Sequence, residues 1–269
     1  MQQKSIFITG AASGIGLATA TLFHQQGWFV GGYDVDVDAL QKLQQELGEG
    51  CITSYLDVRD KEGFDAAIAA FAEQTDGHLD IMFNNAGIAV GGYFDEVPFD
   101  KIMDMVNINL VGVLNGIYAA IPLLKQTDNS LCFTTSSSAA TFGSPGMAVY
   151  AATKHAVKGF TEALSVELAR FGSRAADVLP GIIDTPLWKS DRYADGKVAG
   201  TYEKMPERNA DRTDASRTIA PSEVAECAWN AYHGNKLHWY VPPELVERDK
   251  AKMDSPEAMR DEQIAQLPR

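Results

Sequence analysis

The chain has 269 residues, of which 45% are hydrophobic and 22% are charged, a composition typical of a globular protein with a hydrophobic core. Its formal net charge of −13 argues against a nucleic acid as partner, because binding to phosphates relies on clustered Lys and Arg side chains. An acidic chain can still bind an anionic cofactor, since a cluster of backbone N–H groups can hold a pyrophosphate.

The first third of the chain alternates short apolar stretches with longer amphipathic ones. We predict strands at residues 5–9, 28–33, 51–56 and 79–83, and helices at residues 15–26, 38–47 and 61–75. Strands and helices that alternate at this spacing are typical of βαβ units, in which the strands are parallel.

Two long helices dominate the next part of the chain. We predict them at residues 100–125 and 147–171, with strands at residues 131–135, 177–179 and 237–241. The first of these helices is apolar on nearly every side, so we expect it to pack against its own sheet and against another subunit. Because no linker or repeat interrupts the pattern, we predict a single α/β domain over residues 1–269. Its expected fold is a Rossmann-like, doubly wound parallel β-sheet with helices on both faces.

Two segments towards the C-terminus are harder to interpret. Residues 188–217 are polar, carry charges of both signs and show weak periodicity. A solvated insertion and a mobile lid over a substrate cleft are both consistent with that composition, and long loops in compact domains are often functional. Residues 243–269 form a C-terminal tail that carries no motif indicating a function.

The cysteines and the N-terminus bear on the location of the protein. Cys51, Cys132 and Cys227 are far apart, and they do not combine with the five histidines into a zinc-binding spacing, so we predict no metal site. Reduced thiols are typical of the cytoplasm. We see neither the pattern of a signal peptide nor an uninterrupted apolar run that approaches the ~20 residues of a membrane span. We therefore expect a cytoplasmic protein that does not bind a membrane.

A glycine-rich turn at residues 9–16, Thr-Gly-Ala-Ala-Ser-Gly-Ile-Gly, lies between the first predicted strand and the first predicted helix. Glycines let the backbone turn sharply and let a pyrophosphate approach the helix N-terminus, where free N–H groups and the helix dipole favour anions. The spacing is not GxGxxG, so the turn is not the dinucleotide-binding fingerprint of that form.

An acidic residue follows the turn at a spacing that suits a dinucleotide. Asp34 ends the second strand, 18 residues beyond Gly16, where a carboxylate can bond the hydroxyls of the adenine ribose. It would repel a 2′-phosphate, and Asp36 adds negative charge nearby. No Arg or Lys lies in the turn or directly after Asp34. The sequence therefore favours NAD over NADP.

Pairs of Tyr and Lys spaced four residues apart occur three times, at 150/154, 193/197 and 232/236. The second pair encloses Asp-Gly in the polar segment, and the third encloses Gly-Asn, which would break a helix. In the first pair, inside a long predicted helix, Tyr150 and Lys154 share one face. An ammonium ~5 Å from a phenol would lower the phenol pKa by roughly two units at an effective dielectric of ~20, which would let it exchange protons with an alcohol.

Taken together and in this order, the motifs resemble the short-chain dehydrogenase/reductase family, from Ile6 to about Val241. The matching motifs are TGxxxGIG at residues 9–16, Asp57-Val58 after the third strand, NNAG at residues 84–87, N-x-x-G at residues 109–112 and PGxxxT at residues 180–185. Two departures are the Thr134-Thr135-Ser136 run, where many members have Asn-Ile-Ser, and residues 174–178, which lack the usual Asn.

The resemblance implies a catalytic set. The family's catalytic serine lies 13 residues before its tyrosine, which selects Ser137. Tyr150 would be the general acid/base, and Ser137 would hydrogen-bond the substrate oxygen. Lys154 would lower the pKa of the phenol and hold the nicotinamide ribose, while Asn109 would anchor a water that connects Lys154 to solvent. An Asn109 satisfied by local backbone alone is the competing interpretation.

The resemblance also implies NAD as cofactor. Asp57 would contact the adenine, and Thr185 with the backbone near Ile183 would hold the carboxamide. The full set of expected cofactor-binding residues is Gly10, Ser13, Gly14, Ile15, Gly16, Asp34, Asp57, Val58, Asn85, Ala86, Gly87, Tyr150, Lys154, Pro180, Gly181, Ile183 and Thr185.

These observations favour an enzyme that moves a hydride between NAD and a secondary alcohol or ketone. Two alternatives stay open: an enzyme of the same fold with other chemistry, such as an epimerase or an enoyl reductase, and a non-catalytic dinucleotide sensor. By resemblance the protein is a homo-oligomer, a tetramer or a dimer. We expect a partly apolar, small-molecule substrate from the residues that would line its cleft, which are Ala89, Tyr93, Phe142, Met147, Leu187 and Trp188.

Overall fold

A seven-stranded parallel sheet forms the centre of the computed structural model, which describes residues 3–201, 217–265 and 267. The strands are β1 (Ser5–Thr9), β2 (Phe29–Asp34), β3 (Cys51–Tyr55), β4 (Ile81–Asn84), β5 (Leu131–Thr135), β6 (Arg174–Pro180), β7 (Ile182–Ile183), β8 (Asp191–Ala194), β9 (Lys197–Thr201), β10 (Thr218–Ile219) and β11 (His238–Val241). The order in the main sheet is β11-β6-β5-β4-β1-β2-β3, and every neighbouring pair is parallel.

Helices cover both faces of this sheet. They are α1 (Gly14–Gln25), α2 (Val37–Leu47), α3 (Lys61–Gln74), α4 (Phe99–Val106), α5 (Gly112–Leu124), α6 (Ala148–Leu168), α7 (Pro221–His233), α8 (Leu245–Asp254) and α9 (Pro256–Ala265). Side chains alternate along β1, so Ile6 and Ile8 pack with α1, α2 and α7, whereas Phe7 packs with α3, α5 and α6. The predicted doubly wound α/β fold is confirmed.

The long helix predicted at residues 100–125 is divided in two. A short π-helical segment, Asn107–Val111, joins α4 to α5. This irregular turn contains Asn109, whose side chain is fully buried and bonds the backbone of Ile88. A tertiary contact therefore accompanies the break in the helix, which is typical of π-helical turns at functional sites.

One stretch within the described residues, Phe99–Leu124, is long and apolar enough by composition to cross a membrane, with a mean hydropathy of 1.5 in its most apolar window. Core helices meet the same criterion. Here Val113, Ile117 and Leu124 are buried among side chains of the sheet and of neighbouring helices, and the fully buried Asn109 lies in the same stretch. We interpret it as a core helix.

The described part of the polar segment 188–217 is a β-hairpin rather than a loop. Strands β8 and β9 pair antiparallel with a register shift at Arg192/Tyr193, and Tyr193 donates its N–H to the carbonyl of Gly91 at 2.8 Å. Most of the hairpin residues are exposed, so no alternating pattern marks these strands in the sequence. The predicted lid falls in part on residues 202–216, outside the described residues, and its role stays a prediction.

Candidate active site

The site lies at the carboxyl ends of the central strands, where ligands bind in open parallel sheets. Thr9 ends β1, and its hydroxyl accepts the N–H groups of Asn85 and Ala86 at 3.0 and 3.1 Å. The amide of Asn85 donates to the carbonyl of Thr9 at 3.1 Å and accepts from Thr135 Oγ1 at 3.1 Å. These hydrogen bonds connect the ends of β1, β4 and β5 to one another.

The glycine turn packs closely against the ends of these strands because Gly10, Gly14 and Gly16 carry no side chain. Gly10 and Gly14 have φ of 68° and 52°, in the left-handed region that favours glycine. A Cβ added to Gly16 would lie 2.0 Å from the carbonyl oxygen of Gly10. The side chain of Ser13, at the N-cap of α1, makes no capping hydrogen bond. The first N–H groups of α1 are thus available for an anion.

Asp34 connects the glycine turn to the end of β2. One of its carboxylate oxygens accepts the N–H of Ala12 at 3.0 Å, and the other accepts the N–H groups of Val35 and Asp36 at 2.7 and 3.1 Å. The side chain also borders the cleft beside the turn. Its carboxylate therefore both shapes the turn and adds negative charge at this end of the cleft.

Arg59 is a cation of this cleft that the sequence interpretation missed. Its guanidinium contacts Asp57 at 2.6 Å and Asp104 at 3.3 Å, and it borders the cleft together with Asp57 and Val58. The hydrogen bond from Arg59 lowers the pKa of the Asp57 carboxyl. Arg59 could have been identified from the sequence, because it directly follows the Asp57-Val58 motif. The two carboxylates offset its charge.

Tyr150 and Lys154 lie one turn apart on α6, as predicted, and both are buried. The Lys154 ammonium is 5.7 Å from the centre of the Tyr150 ring and donates to the carbonyl of Thr135 at 2.8 Å. Ser137, two residues after the end of β5, hydrogen-bonds Tyr150 and also accepts the N–H of Ala139 at 3.1 Å. The structure therefore brings Ser137, Tyr150 and Lys154 together.

Asn109 lies beside this group, and its amide is held by backbone. Its Oδ1 accepts the N–H of Ile88 at 2.8 Å, while its Nδ2 donates to the carbonyl of Ile88 at 2.9 Å and to Thr153 Oγ1 at 3.3 Å. A Cβ added to Gly87 would lie 3.3 Å from Asn109 Oδ1 and 3.5 Å from Lys154 Nζ. Asn109 thus fixes the segment that borders Lys154. Its role as a water anchor stays a prediction.

Burial controls the ionisation of both groups on α6. It raises the pKa of the Tyr150 phenol, and the hydrogen bond with Ser137 opposes that shift. Burial also lowers the pKa of the Lys154 ammonium to about 8. In the protein without ligands, desolvation is thus the largest influence on the pKa of the phenol, and the lowering of that pKa by Lys154 stays a prediction.

Two cavities meet at Tyr150. The larger cleft, of about 440 Å³, is bordered by thirteen predicted cofactor-binding residues: Gly10, Ser13, Gly14, Ile15, Asp34, Asp57, Val58, Asn85, Ala86, Gly87, Tyr150, Lys154 and Thr185. The smaller cavity, of about 250 Å³, shares Ile15, Thr135, Tyr150, Thr185 and Leu187 with it.

Four predicted cofactor-binding residues do not border the larger cleft. Pro180, Gly181 and Ile183 line the smaller cavity, and Gly16 packs behind the turn against Gly10.

The smaller cavity is mostly apolar. Five of the side chains expected around the substrate line it, which are Ala89, Phe142, Met147, Leu187 and Trp188, together with the predicted Ser137. Tyr93 instead borders a separate depression next to the hairpin. Arg248, from the C-terminal tail, lines the smaller cavity and was missed, because nothing in the tail's sequence indicates where the chain folds back.

Comparison with known proteins agrees with this architecture. The family profile described as short chain dehydrogenase matches residues 4–195. The chain belongs to the short-chain dehydrogenase family. It is therefore a member of an oxidoreductase family with a dinucleotide-binding fold. Within the described residues, no group of three or more His, Cys, Asp or Glu side chains is placed to bind a metal ion.

Several relatives carry names of oxidoreductases. The chain is 31% identical over 233 residues to the 3-oxoacyl-[acyl-carrier-protein] reductase FabG of Thermotoga maritima, covering 84% of this chain and 89% of the relative. It is 35% identical over 192 residues to the oxidoreductase UcpA of Salmonella typhimurium, covering 70% and 72%. A short-chain dehydrogenase/reductase of Burkholderia phymatum, solved in complex with NAD, superposes with a TM-score of 0.80 at 26% identity, over 96% and 95% of the two chains.

Proposed function

We propose that this short-chain dehydrogenase is an NAD-dependent oxidoreductase that interconverts a secondary alcohol and a ketone, with Tyr150 as general acid/base. One observation carries the proposal: Ser137, Tyr150 and Lys154 meet where the larger cleft joins the smaller cavity. A proton donor at that junction can reach a substrate in the smaller cavity while a cofactor lies in the larger cleft.

The larger cleft fits a nicotinamide dinucleotide. The glycines of the turn let its backbone approach the cleft closely, and Ser13 does not cap α1, so the first N–H groups of α1 would bind the pyrophosphate. Asp34 would bond the adenine ribose, and Asp57-Val58 would border the adenine. Lys154 would hold the nicotinamide ribose and Thr185 the carboxamide. Bound there, NAD supplies the hydride acceptor and, when oxidised, a positive ring charge.

NAD rather than NADP is supported by the charge around the ribose position. Asp34 lies at that end of the cleft, and the Arg59 guanidinium is engaged by Asp57 and Asp104. A 2′-phosphate would meet the Asp34 carboxylate without a free cation among these residues.

Tyr150 acts on the substrate oxygen, and Ser137 positions that oxygen beside it. Because burial raises the pKa of the phenol, Tyr150 is protonated at neutral pH and suited to donate a proton to a ketone oxygen during reduction. In the oxidation direction the phenol must first lose its proton. A charged Lys154 favours that loss, and its lowered pKa of about 8 makes the ammonium itself sensitive to pH.

The deciding experiment is an absorbance assay for reduced nicotinamide over a panel of secondary alcohols and ketones, with NAD(H) and NADP(H) compared. We expect turnover, with NAD(H) preferred. A preference for NADP(H) would contradict the cofactor assignment alone. Absence of turnover with both cofactors, in protein that binds NADH, would contradict the enzymatic proposal and favour a dinucleotide sensor.

We also propose that the protein works as a homo-oligomer in the cytoplasm. Val111, Leu114 and Tyr118 lie on one face of the π turn and α5 and are exposed in the single chain, with 73% exposure for Tyr118. Among the described residues all three cysteines are free thiols. Light scattering that shows a stable monomer at working concentrations would reject the oligomer.

A further inference from the structure

The C-terminal tail contributes to the lining of the smaller cavity. Leu245 at the start of α8 is buried, and a Cβ added to Gly181 would lie 3.4 Å from its Cδ1. Gly181 and Arg248 both line the cavity. Since residues three apart share one helix face, the contact of Leu245 with Gly181 directs Arg248 towards the same cavity.

Polar contacts hold α8 against α6 and β11. Asp249 accepts the hydroxyl of Tyr240 at 2.7 Å and also pairs with Lys158. One turn further along the chain, Lys252 contacts His155 Nε2 at 2.9 Å. Asp249 and Lys158 are both largely buried at this contact. These contacts fix the helix that carries Arg248, and they come from the same stripe of residues as Leu245 and Arg248.

Arg248 is an exposed residue at the edge of the smaller cavity and has no charged neighbour in the described part of its lining. It is the one Lys, Arg, His, Asp or Glu among the described residues that line the smaller cavity. Across residues 3–201, 217–265 and 267, no hydrogen bond or ion pair involves its guanidinium, although the chain carries a formal net charge of −13. Neighbouring cations of the tail are engaged, as Lys250 is by Glu247 at 2.8 Å. A guanidinium without a protein partner at the edge of an apolar cavity can donate two parallel hydrogen bonds to a carboxylate or a phosphate.

We propose that Arg248 binds an anionic group of the substrate, so that the substrate class is a ketone or secondary alcohol that also carries a carboxylate or a phosphate. The inference rests on the proposed function, because it assumes that the reacting oxygen lies at Tyr150 and Ser137. The apolar side chains that line the same cavity, such as Phe142 and Met147, would then contact the carbon skeleton.

The test compares matched substrates in matched variants. The substrates are a homologous series of straight-chain oxo acids with their methyl esters, and hydroxyacetone phosphate with hydroxyacetone. The variants are Arg248→Gln, Arg248→Lys and the control Lys250→Gln, which removes one exposed positive charge from the same helix. kcat and KM are measured with saturating NADH, at low and high salt, and thermal unfolding checks that each variant is folded.

We expect the wild-type enzyme to prefer the anionic member of at least one pair. Arg248→Gln should lower kcat/KM for that substrate by about 10- to 100-fold, mainly through KM, and leave the neutral partner nearly unchanged. Arg248→Lys should retain part of the preference, and Lys250→Gln should retain all of it. The pair that shows the preference separates a carboxylate from a phosphate as the recognised group.

Failure of this inference is distinguishable from failure of the proposed function. Turnover of neutral ketones with no preference for anions, or a preference that Arg248→Gln does not change, overturns the role of Arg248 and leaves the oxidoreductase intact. If no ketone is turned over, calorimetric binding of the oxo acids to the NADH-loaded protein decides. Binding that Arg248→Gln removes supports the anion site, and binding that is absent or unchanged in the variant overturns it.

Discussion

The two cavities that meet at Tyr150 are built in different ways. The larger cleft is formed by turns and strand ends whose residues are mostly contiguous, such as the glycine turn and residues 84–87. The smaller cavity combines two contiguous runs, residues 135–139 and 180–183, with side chains from separate segments, including Ala89, Phe142, Trp188 and Arg248. A ligand recognised by backbone groups leaves a compact motif in the sequence, whereas a ligand recognised by converging side chains does not.

Tyr150 lines both cavities. Its replacement therefore tests whether turnover can be lost while cofactor binding is kept. We expect Tyr150→Phe to lower kcat by about 10²- to 10⁴-fold, because it removes the proton donor, while the affinity for NADH stays nearly the same. Steady-state assays and fluorescence titration measure the two quantities. Tyr193→Phe is the control, since Tyr193 has the same spacing to a lysine but lies on the hairpin. Full activity in Tyr150→Phe would refute the mechanism.

A substitution at Gly16 tests whether the larger cleft depends on the close approach of backbone at the glycine turn. A Cβ there would lie 2.0 Å from the Gly10 carbonyl oxygen, so Gly16→Ala should lower the free energy of unfolding by about 3 kcal/mol and weaken cofactor binding. Urea denaturation measures the change. Gly159→Ala is the control: the position is exposed within α6, with nothing within 4 Å of an added Cβ, and alanine should stabilise it by about 0.5–1 kcal/mol. Equal stability of both variants would contradict the close approach at the turn.

Because the Lys154 ammonium is buried, the free energy of unfolding should depend on pH in a defined way. Burial lowers the pKa of Lys154 to about 8, below its ordinary value of 10.5, so the unfolded chain binds more protons in this interval. The cost of burying the charge is complete below pH 8 and is relieved as the pH rises towards 10.5. Relative to Lys154→Met, the wild type should therefore gain about 3 kcal/mol across that window.

Urea denaturation of both proteins at several pH values measures this gain, with Lys42→Met, which removes an exposed ammonium, as the control. A difference between wild type and Lys154→Met that stays constant with pH would show that Lys154 is not desolvated in solution.

The smallest effect is expected at the acidic end of the larger cleft. Asp34→Ala should reduce the preference for NAD over NADP by about tenfold, equivalent to about 1.4 kcal/mol, because it removes negative charge near the position of a 2′-phosphate. Ratios of kcat/KM for the two cofactors measure the change. Asp38→Ala, which removes a neighbouring charge in the first turn of α2, should leave the ratio unchanged. An unaltered ratio in Asp34→Ala would reject the assigned role.

Local sequence patterns predicted most of the sheet and the motifs along the larger cleft. Alternating apolar stretches indicated parallel strands, and a four-residue spacing placed Tyr150 and Lys154 on one helix face, because helix geometry alone determines which side chains are neighbours. Elements without a strong pattern were missed. The hairpin of β8 and β9 was not predicted, because its strands are short and mostly exposed and show no alternation. Helix α7 was also not predicted, although its buried residues from Val224 to Tyr232 recur at helical spacing.

The tertiary structure decided what surrounds each of these residues. The direction of the Tyr150 pKa depends on how completely the sheet, α4 and the turns exclude water from the phenol, and the spacing to Lys154 carries no information about that. The position of Arg248 depends on the contacts of Asp249, above all the one with Lys158, which lies 91 residues away in the chain. Burial and long-range contacts are properties of the whole packed molecule, and for that reason only the folded chain determines them.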